Sequence, residues 1–439
     1  MKLNALSNYQ PIIGLEVHVE LGTKSKMFCG CPADHFGKEP NTQTCPVCLA
    51  LPGALPVPNK KAIEWTILLG LALGSKINLV SHFDRKNYFY PDLPKGYQIT
   101  QYDQPFCYDG TLNGIRIRRV HLEEDTGKLQ HDGGETTIDF NRSGVPLVEI
   151  VTEPDFRSIE EVDIYLKKLQ KIIRYLGISS ADMEKGSMRL EPSISLAPVI
   201  PAESGISKNE KDSGRAPLAR MTTLDGLELP NYRVELKNIN SFRFVRKALE
   251  YEIERQQREE HKQETRGWSE TKNATFLQRE KEEAHDYRYF PEPDIPPIRI
   301  FNYQLPIFKK QIPELPDAKS ERFQKEYGLS FYQSEILCED RHVADGFEES
   351  VKSNKDFAAL EIANSIINKR PLVLKSKIMV DAKIIKQVLA QNFQAVADYK
   401  SGKLQILGFL IGQCAKLMPD VDKSMIKNKL EEVLKNERN

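Results

Sequence analysis

Residues 14–21 alternate strictly between apolar and polar side chains. In a β-strand this pattern turns the leucines and valines to one face and Glu16, His18 and Glu20 to the other. Two carboxylates and an imidazole on one strand face are costly to bury unless they meet water, a cation or a substrate. The segment therefore predicts a strand whose polar face is either solvated, as at the edge of a sheet, or part of a site.

Three further acidic groups lie within apolar, strand-like sequence and favour the second interpretation. They are the run 121–125, which contains Glu123 and Glu124, then Glu149 with Glu153 and Asp155, and finally Glu191. Isolated carboxylates in separate apolar segments predict a shared site for a divalent cation. Oxygen ligands of this kind suit Mg²⁺ rather than Zn²⁺.

The composition is that of a globular protein rather than a membrane or nucleic-acid-coating one. Of the 439 residues, 40% are hydrophobic and 28% are charged, and the length suggests about three domains. Lysine plus arginine equals aspartate plus glutamate at 62 each, so any nucleic-acid binding must be local. The N-terminal sequence lacks an apolar signal core, and no run reaches the roughly 18 apolar residues of a membrane span. Seven cysteines, an odd number, fit a reducing compartment, so we expect a cytoplasmic protein without membrane contact.

Helix and strand signals change along the chain and indicate an α+β fold. Ser158 and Gly177 bound the clearest amphipathic helix. The polar stretch 198–230 lacks apolar periodicity and is predicted to be an exposed insertion. Clustered prolines end the first domain near residue 297, and the pattern from about 317 onward is helical. Other expected elements are a helix at 60–74, strands at 193–196 and 232–236, and helices at 241–261, 358–368, 381–392, 404–416 and 424–434.

Four cysteines form a C-x-C…C-x-x-C pattern, Cys29 and Cys31 followed by Cys45 and Cys48, with 13 residues between the pairs. Four thiolates on two tight turns suit tetrahedral Zn²⁺, and a full set of ligands without a vacancy predicts a structural site. Two alternatives remain: the cysteines could be incidental, since this spacing is slightly short for a zinc ribbon, or His35 could replace one ligand.

Residues 84–92 combine charged and aromatic side chains in an unusual density. A solvated loop is rarely so aromatic, and a core strand rarely holds Asp-Arg-Lys. The segment is therefore predicted to line a polar cavity or contact a nucleotide, with Arg85, Tyr88 and Tyr90 as the candidate cofactor contacts. The alternative is an aromatic-anchored loop packed on the domain surface.

Several common signatures are missing from the sequence. It contains neither a phosphate-binding G-x-x-x-x-G-K-[ST] loop nor a G-x-G-x-x-G run, so any ATP would be bound without these fingerprints. It also contains no nucleophile elbow and no Ser- and Gly-rich amidase run. We therefore expect no glutaminase activity from this chain.

Six motifs, in order, strongly resemble the B-subunit family of the tRNA-dependent aspartyl/glutamyl-tRNA amidotransferases. The resemblance extends from about residue 10 to 297 and continues more loosely to the end of the chain. The motifs are GLEVHVEL, DRKNYFYPDLPKGYQIT, HLEEDTGK, NRSGVPLVEIVTEPD, ELKNINSF and DYRYFPEPDIPP.

This resemblance implies a function. The family converts Glu-tRNA(Gln) or Asp-tRNA(Asn) to Gln-tRNA(Gln) or Asn-tRNA(Asn). Its B subunit uses ATP and Mg²⁺ to phosphorylate the side-chain carboxylate on the tRNA, and ammonia from the amidase, the A subunit, displaces the phosphate. A small C subunit completes a heterotrimer. The expected architecture is a mixed-sheet cradle at 1–297, a helical domain at 298–380 and a tRNA-gripping tail at 381–439.

The resemblance also implies roles for individual residues. The metal-site positions of the family fall on Glu16, His18, Glu123, Glu124, Glu149 and Glu191, and its ammonia passage resembles the surroundings of Lys86 and Lys95. Glu191 stands where many members have the shorter aspartate. The start of the tail domain looks a few dozen residues short near 370–381.

Two other function classes compete with this interpretation. One is a zinc-containing RNA-binding protein without catalysis, which would explain the cysteines and aromatic residues but not the carboxylates. The other is a Mg²⁺-dependent nuclease or phosphohydrolase that uses the same acidic groups. Consumption of ATP linked to amide formation on tRNA separates all three.

Overall fold

The computed structural model describes residues 9–198, 230–259, 262–280, 287–371, 380–403, 405–418, 421 and 423–436. Nearly all of the insertion predicted at 198–230 lies outside these residues. The chain divides into two compact units. The first contains residues up to 326 together with 334–345, and the second contains 327–333 together with the residues from 346 onward.

A nine-stranded sheet forms the centre of the first unit, in the order β14-β13-β12-β11-β1-β10-β7-β6-β2. Neighbouring strands are antiparallel except β12 and β13, which are parallel, so the sheet is mixed. The strands are β1 (Tyr9–Glu20), β2 (Lys76–Ile77), β6 (Cys107–Leu112), β7 (Ile115–Glu124), β10 (Pro146–Thr152), β11 (Met188–Pro198), β12 (Val234–Lys237), β13 (Glu264–Ser269) and β14 (Ala274–Glu280).

The strand that the alternating segment forms lies in the middle of this sheet, not at an edge. β1 pairs with β10 on one side and β11 on the other. Its apolar side chains Leu15, Val17 and Val19 are fully buried in the core. Since both strand edges are hydrogen-bonded, the polar face is the only part of β1 that can serve a site.

Three small sheets flank the central one. β4 lies between β15 and β5, β16 pairs with β3, and β8 pairs with β9. The strands are β3 (Val80–Ser81), β4 (Asp84–Asn87), β5 (Tyr97–Thr100), β8 (Lys128–Asp132), β9 (Glu135–Asp139), β15 (Phe290–Pro291) and β16 (Ile298–Arg299).

Three helices accompany the sheet in the first unit: α1 (Lys60–Ala72), α2 (Ile159–Leu176) and α3 (Phe242–Gln256). The predicted capping box of α2 is present, because Ser158 Oγ accepts a hydrogen bond from the Glu161 amide and the Glu161 carboxylate accepts one from the Ser158 amide. Gly177 ends the helix in the left-handed region, at φ 67°. The inner face of α2 packs its leucines and isoleucines into the core shared with β1.

The remaining helices lie in the C-terminal part of the chain, as predicted, and the α+β fold class is confirmed. They are α4 (Leu305–Gln311), α5 (Pro316–Tyr327), α6 (Phe331–Leu337), α7 (Arg341–Ser353), α8 (Ala359–Ile367), α9 (Ala382–Gln391), α10 (Phe393–Lys400), α11 (Ile406–Leu417) and α12 (Lys423–Asn436), with a short 3₁₀ helix at Asn302–Gln304. Helices α9 to α12 enclose a small core of their own around Ile385, Leu410 and Ile426. No helix within the described ranges is long and apolar enough to cross a membrane.

Candidate active site

The polar face of β1 opens into a cavity of about 430 Å³ in the first unit. Strands β1, β7, β10, β11 and β12 contribute its wall, because strand alternation turns every second side chain to this face. Strand register brings the key side chains together: His18 is paired with Glu149, and Glu16 with Glu191. Its charged lining residues include Glu16, His18, Lys86, Arg119, His121, Glu123, Asp125, Arg142, Glu149, Arg189, Glu191, Glu235 and Lys237.

One group of possible metal ligands consists of His18, Glu123 and Glu149, whose ligand atoms lie within 4.8 Å of one another. Glu149 Oε2 lies 3.3 Å from His18 Nε2 and 3.3 Å from His121 Nε2. Burial disfavours a charged imidazole, but the carboxylates of Glu149, Glu191 and Glu123 outweigh it and raise the pKa of His18 to about 9. The carboxylates thus attract a positive charge to this position.

A second group consists of Glu16, Glu191 and Glu235, which also offer oxygens within 4.8 Å of one another. Burial and the negative charges of Glu149 and Glu191 raise the pKa of Glu16. Lys237 Nζ lies 2.9 Å from Glu191 Oε2 and offsets one negative charge. Three half-buried carboxylates at this separation repel one another, so a hard divalent cation such as Mg²⁺ fits the oxygen set.

Basic side chains complete the cavity and make it suitable for an anionic substrate. Arg189 bridges Glu20 and Asp125, with 2.6 Å between Arg189 Nη2 and Asp125 Oδ2. Burial would raise the pKa of Asp125, but Arg142 and Arg189 hold it well below its ordinary value. Burial opposes the charge of Lys86, yet the nearby Glu123 carboxylate keeps the Lys86 pKa above its ordinary value. Cations and carboxylates therefore stand side by side.

The four cysteines converge on one point away from the carboxylate groups. Their sulfur atoms lie within 4.8 Å of one another, and Cys45 Sγ is 3.8 Å from Cys48 Sγ. In a tetrahedral zinc tetrathiolate with Zn–S distances of about 2.3 Å, neighbouring sulfurs are about 3.8 Å apart. A hydrogen bond from Cys29, opposed by burial, lowers the pKa of Cys48 to about 4. The geometry and donor set therefore fit Zn²⁺.

Comparisons with known proteins match nearly the whole chain. A family model described as the GatB/GatE catalytic domain matches residues 11–305, and one described as the GatB domain matches residues 340–434. The chain belongs to the GatB/GatE family. This confirms the resemblance inferred from the six motifs and places the chain among the ligase-type amidotransferases.

Curated relatives of this GatB-family chain share one name, that of the B subunit of aspartyl/glutamyl-tRNA(Asn/Gln) amidotransferase. The protein of Thermodesulfovibrio yellowstonii is 43% identical over 93% of this chain and 95% of its own length. Those of Thermotoga petrophila and Dehalococcoides mccartyi are 41% and 42% identical, over 96% and 97% of this chain and 99% and 100% of their own lengths.

The structure of the GatB-family chain separates Glu124 from both carboxylate groups. Glu123 and Glu124 are neighbours on β7, so alternation turns them to opposite sides, and grouping both with His18 overlooked this. Glu124 instead receives Lys95, with 2.6 Å between Lys95 Nζ and Glu124 Oε1, and accepts a hydrogen bond from the Ile99 amide. This ion pair lines a separate cavity of about 190 Å³ next to Cys29 and Cys48.

The aromatic segment is divided in the same way. Lys86 and Tyr88 line the main cavity. Arg85, their neighbour on β4, points elsewhere and forms two hydrogen bonds with Glu292, of 2.7 Å from Nε and 2.8 Å from Nη2. Tyr90 lies in a larger, open cleft of about 1140 Å³ that shares Tyr88 with the main cavity. Of the three candidate cofactor contacts, Tyr88 is thus the one in the carboxylate cavity.

Three residues of the cavity were missed by sequence reasoning. His121 lies in the same 121–125 run as Glu123, and alternation could have placed the two on one face. Glu235 and Lys237 lie on β12, which pairs with β11. Their alternating pattern was visible, but nothing local indicates that β12 lies beside β11, so their proximity to Glu191 could not be predicted.

Proposed function

We propose that this chain is the subunit of a tRNA-dependent amidotransferase that activates Glu on tRNA(Gln) or Asp on tRNA(Asn) and converts it to the amide. The observation that carries the proposal is the cavity in which two groups of carboxylates adjoin basic side chains, in a chain at least 41% identical to proteins of that name. Phosphoryl transfer depends mainly on positioning and on neutralising charge, and such a cavity provides both.

The reaction consists of two steps at the same carboxylate. First, an oxygen of the substrate carboxylate attacks the γ-phosphorus of ATP, which forms an acyl phosphate and releases ADP. Ammonia then attacks the carbonyl carbon, the phosphate leaves with its oxygen, and a proton is lost to give the amide. Mg²⁺ held by one or both carboxylate groups would bridge phosphate oxygens and offset their charge.

The chain's own residues have distinct tasks in this proposal. His18, Glu123 and Glu149 would hold one cation, and Glu16, Glu191 and Glu235 a second. Lys86 and Arg119 project positive charge into the cavity, where they would stabilise the negative oxygens of the transferred phosphoryl group. Fixed charges of this kind need no reorganisation during the reaction.

The open cleft beside the cavity suits the unpaired end of a misacylated tRNA. Phe89 is 90% exposed there, and Tyr90, Tyr287 and Phe290 line the same cleft. Exposed aromatic rings stack on unpaired bases with little dependence on sequence. This cleft opens towards Tyr88 and Lys237, which also line the carboxylate cavity.

Ammonia must come from a partner, because the sequence shows no amidase signature. We propose that an amidase, the A subunit of the complex, supplies it and that a small C subunit completes a heterotrimer in the cytoplasm. Lys95 and Glu124 line the smaller cavity next to the cysteines, and this polar pair is a candidate for the path of ammonia.

An amidation assay of the reconstituted complex tests this function. With ATP, Mg²⁺ and ammonium, charged tRNA should be converted to the amidated form, and ADP should be released in equal amount. Glu149→Gln should abolish both, whereas the control Glu153→Gln, outside the cavity and paired with Arg118, should retain them. RNA binding without ADP release would support the non-catalytic alternative, and tRNA cleavage would support the nuclease.

A further inference from the structure

Lys26 is a fully buried lysine with an unusual set of partners. Its Nζ donates to the carbonyl oxygens of Gln43 at 2.8 Å and Phe140 at 3.3 Å, and it lies 3.7 Å from Cys48 Sγ. Among the residues that the structure describes, no carboxylate forms an ion pair with it. A buried ammonium group is strongly unfavourable unless an anion compensates it, so the compensating charge must come from the cysteines.

A zinc-bound cysteine centre supplies that charge. Four thiolates around one divalent cation carry a net charge of −2, and Lys26 neutralises half of it across the Cys48 contact. The same ammonium group holds the Phe140 carbonyl, which belongs to a different segment of the chain. Lys26 therefore joins the cysteine centre to that segment through one side chain.

Two segments meet at this point, and we name them the cysteine loop (residues 26–48) and the arginine loop (residues 138–144). Asn41 in the first donates to the Ile138 carbonyl at 2.9 Å and accepts from the Phe140 amide at 2.7 Å. The Gln43 amide donates to Asn141 Oδ1 at 2.8 Å. The cysteine loop thus fixes the backbone of the arginine loop at several positions.

The arginine loop carries one cavity residue, Arg142. Its Nε donates to the Thr126 carbonyl at 3.0 Å, and its Nη2 donates to the Gly127 carbonyl at 2.7 Å. Nε also lies 3.6 Å from Asp125 Oδ1. The guanidinium is therefore directed by its own loop on one side and by residues 125–127 on the other, and it forms part of the cavity wall.

We propose that Lys26 is a positioning residue, which couples the metal-bound cysteine loop to the arginine loop and thereby fixes Arg142 in the wall of the active-site cavity. The cysteine centre then shapes the site in addition to stabilising the fold. The effect on catalysis rests on the function proposed above, whereas the coupling between the two loops does not. Fixed placement of a cation matters because small displacements at an active site can cost about a hundredfold in rate.

Lys26→Met tests the coupling, because it removes the ammonium group and keeps the length of the side chain. In the reconstituted complex we expect hydrogen exchange in the arginine loop to rise at least about fivefold and kcat for amidation to fall about tenfold to a hundredfold, with little change in the KM for tRNA. Lys26→Arg should restore most of both. Lys24→Met, at an exposed lysine of the same segment, is the matched control and should change neither.

A double-mutant cycle separates positioning from general destabilisation. If Lys26 acts through Arg142, Lys26→Met should lower kcat much less in an Arg142→Ala background, whereas independent effects would multiply. Asn41→Gly is a surface variant that removes the two Asn41 hydrogen bonds and tolerates the local φ of 59°. It should also loosen the arginine loop.

Measurements that do not depend on activity complete the test. Zinc content and the rate of zinc transfer to a colorimetric chelator are compared for the wild type and Lys26→Met, and we expect faster transfer from the variant. Removing zinc from the wild type should increase exchange in the arginine loop even if Lys26→Met does not fold. Unchanged exchange in that loop, after zinc removal or in the folded variant, would overturn the coupling. Unchanged exchange with lost amidation would leave only the proposed function supported.

Discussion

His18 and Glu149 are paired directly across β1 and β10, with 3.3 Å between His18 Nε2 and Glu149 Oε2. On the other side of β1, Glu16 is paired in the same way with Glu191 on β11. Residues two apart on a strand are roughly 7 Å apart at their Cα atoms. One strand therefore supplies a ligand to each of two neighbouring cation groups, which explains why a single alternating segment carries so much of the site.

The pKa of His18 predicts how metal binding depends on pH. The nearby carboxylates raise this pKa to about 9, so His18 is protonated at neutral pH in the absence of a metal ion. A cation must displace this proton, since only the neutral imidazole is a ligand. The apparent affinity for Mg²⁺ should therefore increase with pH up to about 9, by at most about tenfold per unit for one displaced proton.

Calorimetric titrations with Mg²⁺ at several pH values measure this dependence. His18→Gln removes the titrating group but leaves a polar side chain of similar reach, so its pH profile should be flat over the same range. A wild-type affinity that is constant from about pH 6.5 to 9 would remove His18 from the ligand set.

Glu191 tests the second group, because it stands where many family members have aspartate. Glu191→Ala should lower the rate of carboxylate phosphorylation at least about 100-fold, which corresponds to about 2.7 kcal/mol of transition-state stabilisation. Glu191→Asp keeps the charge, and a shift of one methylene should cost only a few-fold. ATP-dependent ADP release with charged tRNA measures both; equal activity of Glu191→Ala and the wild type would exclude a role for this group.

The cysteine centre should contain about one zinc ion per chain, as expected for a tetrathiolate site. Replacing Cys45 with serine should abolish stoichiometric zinc and lower the thermal midpoint of the first unit, since metal binding contributes directly to folding. Elemental analysis and calorimetry are the measurements. Cys414→Ser is the control, because Cys414 lies in the core of α9 to α12, away from the cysteine loop. Full stability in zinc-free protein would contradict the structural role.

Glutamine should support amidation only when the amidase is present. The chain itself shows no amidase nucleophile pattern, so isolated preparations should form amide with ammonium at high concentration but not with glutamine. Product formation with each nitrogen source, measured with and without the partner, distinguishes the two. Glutaminase activity of the purified chain alone would contradict the division of tasks.

Local sequence patterns predicted the elements well and the assembly of the site less well. The caps at Ser158 and Gly177 and the alternation in β1 depend on neighbours in the chain, so they could be recognised directly. The opposite orientations of Glu123 and Glu124 follow from the same alternation and could also have been predicted. The meeting of Glu16 with Glu235 could not, because it depends on β11 lying between β1 and β12, an arrangement set by long-range packing.

The C-terminal helices provide the last prediction. Residues 381–439 contain ten lysines or arginines and seven aspartates or glutamates, a surplus of three positive charges. Alignment with the Thermotoga petrophila relative spans 504 positions, more than the 439 residues of this chain, so that relative contains residues without a counterpart here. We therefore expect these helices to contribute mainly non-specific phosphate contacts.

Deleting residues from 381 onward tests this role with little damage elsewhere, because α9 to α12 have their own core around Ile385, Leu410 and Ile426. The KM for tRNA should rise, and it should depend less on salt, since fewer counterions are released on binding. kcat at saturating tRNA should persist, because the proposed metal ligands all lie on strands of the first unit. A fall in kcat at constant KM would show that these helices support the active site instead, and no change in either parameter would exclude them from tRNA binding.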